Sequence, residues 1–218
     1  MTSKLFAAAA LVAASLSAHA ASITAPSATF SGNVITFNEY DGLVTAGTVD
    51  LGQGVTLSAT ANVVLGQDAF DLGDNGLWTG FASSPDRDGH FLSTAFTAGS
   101  GVVSFTFAAP ARSVGAFVNQ FQNVGQTNNS MLVVAYDQQG NVLESFSVSP
   151  NTAFDGYDEG LFVGFTRAQG DIYGFGLVNG SFVVDNVTVA AVPEPASTAL
   201  ALVGLGVAGL AARRRRAA

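Results

Sequence analysis

The feature that most constrains the fold is a series of short runs rich in Val, Phe, Thr and Ile, separated by clusters of Gly, Asn, Asp and Ser. In one run, Val103, Phe105 and Phe107 alternate with Ser104 and Thr106, so apolar side chains share one face and hydroxyls the other. Such alternation predicts a strand with one wet face, which is typical of antiparallel sheets. The strands predicted in this way are residues 34–37, 55–59, 103–107, 114–118, 131–136, 143–148, 162–166, 172–177 and 182–189.

About ten short strands within residues 21–192 predict an all-β domain, an antiparallel two-sheet sandwich with jelly-roll-like connections. The chain has 17 phenylalanines, and bulky side chains of this kind are needed to fill the gap of about 10 Å between two packed sheets. Residues 137–141 predict a hairpin connection in which Gly140 takes a positive φ.

The first residues have the pattern of a secretory signal peptide. An apolar run at residues 5–16 follows a positively charged start, and Ala18 and Ala20 form an Ala-x-Ala cleavage site. We therefore predict a signal peptide at residues 1–20, export through the Sec translocon, and cleavage by signal peptidase before Ala21. The alternative is an N-terminal anchor, although an apolar run this short spans a membrane poorly.

The last residues, 193–218, contain three parts in a fixed order. A Pro-Glu-Pro motif comes first, then an uncharged apolar stretch, then a basic cluster. Residues 195–212 would reach about 27 Å as a helix, the low end of what spans a bilayer. Four arginines after the span hold that end in the cytoplasm, so the preceding chain faces outward. The parts are Pro193, Glu194 and Pro195; a predicted transmembrane helix at 196–212; and Arg213, Arg214, Arg215 and Arg216.

This three-part tail resembles the PEP-CTERM sorting signal of Gram-negative, exopolysaccharide-producing bacteria. The resemblance implies an exosortase as partner, a membrane-embedded cysteine peptidase or transpeptidase that cleaves near the motif. It also implies a transient single-pass stage in the inner membrane (N-out, C-in), followed by delivery to the cell surface or the extracellular matrix of a biofilm. Two alternatives are an ordinary single-pass anchor, which has no need of Pro-Glu-Pro, and a glycosylphosphatidylinositol signal, which seldom ends in four arginines.

Two segments of the middle region also resemble sandwich ectodomains that precede this type of tail. Residues 133–140, Val-Val-Ala-Tyr-Asp-Gln-Gln-Gly, are similar to the strand-and-turn pattern V-x-V-Y-D-x-x-G. Residues 182–189 are similar to a closing strand x-D-N-V-x-V directly before the sorting motif. These patterns support the predicted fold rather than an activity, because a fold does not determine function.

The charge of residues 21–192 excludes one class of partner. This part has no lysine and three arginines, against 15 aspartates and glutamates, which gives a formal net charge of −12. Such an acidic surface repels nucleic acid and anionic lipid head groups, so nucleic acid is not expected as a partner. The chain has no cysteine, which excludes disulfides and thiol chemistry.

Candidate catalytic and metal-binding residues are few. His90 is the only histidine after residue 20, which excludes a multi-histidine metal centre, and its Asp- and Gly-rich surroundings predict a solvent-facing loop. Paired carboxylates for glycoside cleavage stay open, because their separation cannot be read from the sequence. Glu39 and Asp41 could join Asp185 in a structural calcium site if the terminal strands pair. The alternative is that these carboxylates are solvated turn residues.

Sugar binding is the most specific activity that the sequence indicates. Trp78 and Asn75 combine an aromatic face with an amide, the groups that contact sugar rings and hydroxyls. The alternative is that Trp78 packs in the core or a loop. We therefore predict an exported, non-enzymatic cell-surface or matrix protein associated with exopolysaccharide, with no cofactor. The alternative is a secreted carbohydrate-active enzyme or carbohydrate-binding module on the same sandwich.

Overall fold

A computed structural model describes residues 21–67, 90–94, 101–120, 130–150, 161–179 and 182–192. These residues form eleven strands joined by turns, with no helix among them, so the predicted all-β class is confirmed for this part of the chain. The predicted signal peptide and sorting tail lie outside the described residues. The strands are β1 (Ala21–Ala25), β2 (Asn33–Ile35), β3 (Leu43–Asp50), β4 (Val55–Gln67), β5 (Phe91–Thr94), β6 (Val102–Gln120), β7 (Met131–Tyr136), β8 (Val142–Val148), β9 (Leu161–Thr166), β10 (Ile172–Val178) and β11 (Phe182–Ala191).

Every strand pair is antiparallel, and the long strand β6 divides the hydrogen-bonded sheet into two layers. The first part of β6 lies between β4 and β10, and that layer continues through β7 to β8. The second part lies between β11 and β9, and β1 pairs with β9. On its other side, β11 pairs with both β5 and β2. The layers are also joined by β4, whose far end pairs with β5.

The prediction of separate strands at residues 103–107 and 114–118 was wrong, because both belong to β6. The chain between them contains Pro110, which lacks an amide hydrogen and cannot donate to a sheet ladder. At this point the register against β10 shifts between Ile172 and Gly174. β6 therefore continues as one strand but changes its neighbours, which carries it from one layer into the other.

The two layers pack face to face. Phe146 on β8 and Phe165 on β9 meet edge to face with ring centroids 5.2 Å apart, although their strands belong to different layers. Phe105 and Phe175 stack within the first layer. Side chains from both layers form one buried core, as expected for a sandwich. The jelly-roll-like connectivity stays a prediction.

A second, smaller apolar cluster lies on the outward face of the layer that contains β9 and β11. Its buried members are Phe91, Phe117, Phe162 and Val183. The ring of Phe162 makes edge contacts with Phe117 at 5.1 Å and with Phe30 at 5.5 Å. Gly115 leaves room for this ring, since a Cβ there would come within 2.6 Å of Phe162 Cζ. The chain after β1 thus covers part of this layer from outside.

The predicted hairpin at residues 137–141 is confirmed between β7 and β8. The Asp137 carboxylate accepts hydrogen bonds from the amides of Gln139 and Asn141, and from the Asn141 side chain. Gly140 has a φ of 81°, as expected. Tyr136 lies against Gly176, where a Cβ would approach its ring within 2.8 Å. The segment that resembles V-x-V-Y-D-x-x-G therefore combines two buried strand positions with a tyrosine ring that packs on Gly176 and an aspartate that accepts the hydrogen bonds of the turn.

Candidate functional site

The candidate site is the end of β11, because the Pro-Glu-Pro motif begins two residues after this strand. Most of β11 is held on both sides, by β6 along its length and by β5 and β2 in turn on the other side. Among the described residues, its last two positions, Ala190 and Ala191, pair with β6 alone, opposite Ser113 and Ala111, and the register slips between them. The strand is thus firmly fixed until shortly before the motif.

Three residues hold the chain at the exit from β11: Val192, Pro110 and Gly170. We call them the Val192 clamp. The amide of Val192 donates to the carbonyl oxygen of Pro110 over 3.5 Å, a long hydrogen bond. The Val192 side chain lies against Gly170, where a Cβ would collide with Val192 Cγ2. Gly170 has a φ of 58°, which favours glycine in this turn between β9 and β10. Val192 is accordingly half-buried.

The turn that contains Gly170 is itself fixed by an ion-pair cluster. Arg167 forms a bidentate pair with Asp171, with Nε on Oδ1 and one terminal nitrogen 2.9 Å from Oδ2. Its other terminal nitrogen donates to Glu144 Oε1 on β8 over 3.0 Å. The hydrogen bond to Asp171 raises the pKa of Arg167, and the charge of Glu144 adds to this effect. The cluster therefore joins the β9–β10 turn to the strand at the far edge of the first layer.

Upstream of the clamp, the Asp-Asn-Val pattern forms a bulge in β11. Asn186 has a φ of 50°, and the register against β6 shifts between Asp185 and Thr188. Asp185 is buried, and its carboxylate accepts the Asn186 amide at 2.7 Å. The Thr188 hydroxyl donates to the Asn186 carbonyl oxygen over 3.0 Å. Asparagine suits this position because it adopts the left-handed conformation more readily than most residues.

The strand pairing on which the calcium hypothesis depends is present, since Ile35 on β2 lies opposite Val187 on β11. Asp185, two residues before Val187, is buried within the layer, whereas Glu39 and Asp41 are exposed after β2. The described residues contain no group of three His, Asp or Glu side chains that could hold a metal. The calcium site stays a prediction, without such a group to support it.

The remaining sequence-predicted residues are only partly within the described chain. Ala21, the predicted mature N-terminus, is the first residue of β1 and lies opposite Thr166. His90 directly precedes β5 and is half-buried, so it faces solvent less than predicted. The other predicted site residues lie outside the described part: Ala18, Ala20, Asn75, Trp78, Pro193, Glu194, Pro195 and Arg213 to Arg216.

Sequence reasoning missed several polar residues that the structure brings to attention. Arg167 and Asp171 are four residues apart around a glycine turn, a spacing that could have indicated the pair, but Glu144 is distant in sequence. Asn119 on β6 is 2% exposed, and its Oδ1 has no hydrogen-bond partner among the residues that the structure describes. It lies opposite Val183, so it shares the outward face with Phe117. The alternation of apolar and polar residues along β6 could not reveal that this outward face is buried.

The geometry at the end of β11 suits positioning rather than catalysis. The Val192 clamp consists of apolar side chains and backbone groups, none of which transfers a proton at neutral pH. What it does is fix where the chain leaves the folded sheet. Within the described ranges no helix could cross a membrane, and the predicted span at 196–212 lies beyond them.

Comparison with solved structures finds distant likeness to sugar-binding modules and to a phage protein. A family 6 carbohydrate-binding module shares 14% identity over 74% of this chain and 95% of its own, with a TM-score of 0.35. CsCBM6-3 from Clostridium stercorarium, solved in complex with cellobiose, shares 16% sequence identity over 76% of this chain and 100% of its own. Its TM-score is also 0.35. The enzymatically active domain of tailspike protein 4 from bacteriophage CBA120 shares 16% sequence identity over 64% of this chain and 20% of its own, with a TM-score of 0.34. Scores this low support no inference about function.

Comparison with curated proteins finds no significant match. Comparison with family models matches residues 191–216 to the PEP-CTERM protein-sorting motif. The match begins at Ala191, the final residue of β11, and continues through Arg216. It covers the Pro-Glu-Pro motif, the apolar stretch and the arginine cluster, so the resemblance inferred from these three parts is confirmed. In this chain the PEP-CTERM sorting motif thus follows directly from the last strand of an all-β domain.

Proposed function

We propose that this protein is an exported, non-enzymatic surface or matrix protein whose C-terminal tail is processed by an exosortase. The observation that carries the proposal is the family match at residues 191–216, which begins at the last residue of a strand that is paired on both sides for most of its length. The tail is a sorting signal, and the domain before it is the cargo. After cleavage, the domain reaches the cell surface or the exopolysaccharide around the cell.

The composition of the domain suits an extracellular protein. Its formal net charge of −12 over residues 21–192 keeps copies apart and soluble. The lack of cysteine removes thiols that would oxidise outside the cytoplasm. Stability then depends on the large apolar core shared by the two layers, together with local polar clusters such as Arg167 with Asp171.

Localisation in the native host tests the sorting function. The protein is followed in inner membrane, outer envelope and medium for the wild-type chain and for a Pro193→Ala, Glu194→Ala, Pro195→Ala variant. We expect the wild-type protein in the envelope or medium, and the variant retained in the inner membrane. A Gln138→Ala, Val142→Ala variant, altered at two exposed positions, serves as a matched control and should follow the wild type. Identical distributions for the motif variant and wild type would refute the proposal.

A second assay separates the non-enzymatic role from the alternative, a carbohydrate-active enzyme on the same sandwich. Released protein is incubated with the producer's exopolysaccharide, and both cosedimentation and new reducing ends are measured. Binding without new ends supports a matrix protein. Turnover that is lost when one carboxylate is changed would favour the enzyme and overturn the non-enzymatic part of the proposal.

A further inference from the structure

The sheet that ends at β11 restricts where a peptidase can act. A peptidase binds its substrate as an extended chain, with backbone hydrogen bonds to several residues around the scissile bond. Backbone groups that are already paired inside a sheet cannot make those bonds. β11 is paired with β6 as far as Ala191, opposite Ala111. The peptide bonds of β11 before Ala191 are therefore protected while the domain is folded.

The next residue, Val192, is held more weakly but is still held. Its amide hydrogen bond to Pro110 is 3.5 Å long, and its side chain contacts Gly170 in a turn fixed by Arg167 and Asp171. Ala191, just before it, is exposed and lies next to a register slip. Chain ends with few contacts of this kind open locally at low free-energy cost. The clamp thus opens much more easily than β11 itself.

We infer that the Val192 clamp is the upstream boundary of the exosortase processing site, so that cleavage occurs C-terminal to Val192 and is slowed while the clamp is closed. This inference rests on the proposed function, because it requires that the tail is processed. The peptidase engages the Pro-Glu-Pro motif and needs Val192 to detach before the residues on both sides of the scissile bond are available. Loosening the clamp removes that step and accelerates processing.

The test measures the disappearance of precursor by pulse-chase labelling of the full chain in the native host. Val192→Ala removes the contact with Gly170, and insertion of Gly-Ser-Gly-Ser between Val192 and Pro193 provides free chain next to the motif. We expect both to shorten the precursor half-life about five-fold, the factor that corresponds to about 1 kcal/mol. Val142→Ala is the matched control, since Val142 is 59% exposed on β8 and should leave the half-life unchanged.

The C-terminal residue of the wild-type product is identified in parallel by mass spectrometry of its last peptide. We expect it at Val192 or later. A product that ends before Val192, or a Val192→Ala half-life equal to that of the control, would overturn the inference. If the insertion alone accelerates processing, distance from the membrane limits the reaction and the clamp does not. If the motif variant is processed like the wild type, the proposed function itself fails, which is a distinguishable result.

Discussion

Replacing Arg167 with methionine tests whether the ion-pair cluster stabilises the fold. The Arg167 side chain is 10% exposed and makes three hydrogen bonds, two to Asp171 and one to Glu144. Methionine keeps a similar apolar stem but removes all three bonds and leaves two carboxylates without their cation. The change therefore separates the charge and hydrogen bonds from the packing of the side chain.

The expected loss follows from the exposure of the partners. A hydrogen bond to a charged group contributes about 1.5–3 kcal/mol when it is buried. Glu144 and Asp171 are 30% and 36% exposed, so water recovers much of each interaction. We expect the free energy of unfolding to fall by about 2 kcal/mol, which lowers the Tm by about 4–8 °C for a domain of this size.

Urea unfolding of residues 21–192, followed by circular dichroism, measures this difference. Arg112→Met is the matched control, because Arg112 is exposed on the same sheet and its loss changes the net charge equally. It should change the free energy by less than about 0.5 kcal/mol. The reasoning would be refuted if the two variants lost equal stability, or if Arg167→Met unfolded like the wild type. Adding Asp171→Asn to Arg167→Met should recover part of the loss, since it removes one unpaired carboxylate.

Three further predictions concern single positions. Hydrogen bonds from Asn141, chiefly from its side chain and also from its backbone amide, hold the pKa of Asp137 below the usual value of 3.8. The Asp137 carboxylate therefore stabilises the fold above about pH 4, and this contribution is lost as the pH falls through the lowered pKa. Asp137→Ala should accordingly flatten the pH dependence of Tm below pH 4, and an unchanged slope would contradict this. Asn119→Val removes a buried acceptor without a hydrogen-bond partner in the described part of the chain, and should stabilise the domain by about 1 kcal/mol in urea unfolding. A loss of stability would mean that the amide has a role in the fold. Gly164→Ala places a Cβ against the Val114 carbonyl oxygen and should lower the free energy of unfolding by at least about 2 kcal/mol. Gly140→Ala meets open space and should lose only the roughly 1–2 kcal/mol that a positive φ costs alanine.

Most strands could be predicted because alternation of apolar and polar residues is a local signal. Residues 131–136 were predicted as a strand and coincide with β7, and the turn after it was predicted from Asp137 and Gly140. Three strands were missed, β1, β3 and β5. β3 contains Gly47 and has exposed apolar residues such as Val44, so its pattern has no clear buried face. β5 is only four residues long, too short for periodicity to be detected.

The layer crossing and the clamp could not be predicted, because both depend on contacts between distant parts of the chain. Two apolar runs separated by Pro110 have the pattern of two strands. The structure shows one continuous strand, β6, whose first part pairs with β4 and whose second part pairs with β11. Val192 meets Pro110 and Gly170 because β11 runs beside β6 and ends near the β9–β10 turn. In contrast, the sorting motif was recognisable from sequence, since its signal consists of three consecutive segments.

The central claim, that this protein is exported and then released by processing at its C-terminal tail, is tested most directly by its intact mass. The protein is recovered from the envelope and the medium of the native host, and from a strain that lacks the exosortase. We predict a wild-type product that begins at Ala21 and has lost the apolar stretch and the arginine cluster, and a full tail in the exosortase-deficient strain. A wild-type protein that keeps Arg213 to Arg216 in the membrane fraction would contradict the account, because the tail would then be an ordinary anchor.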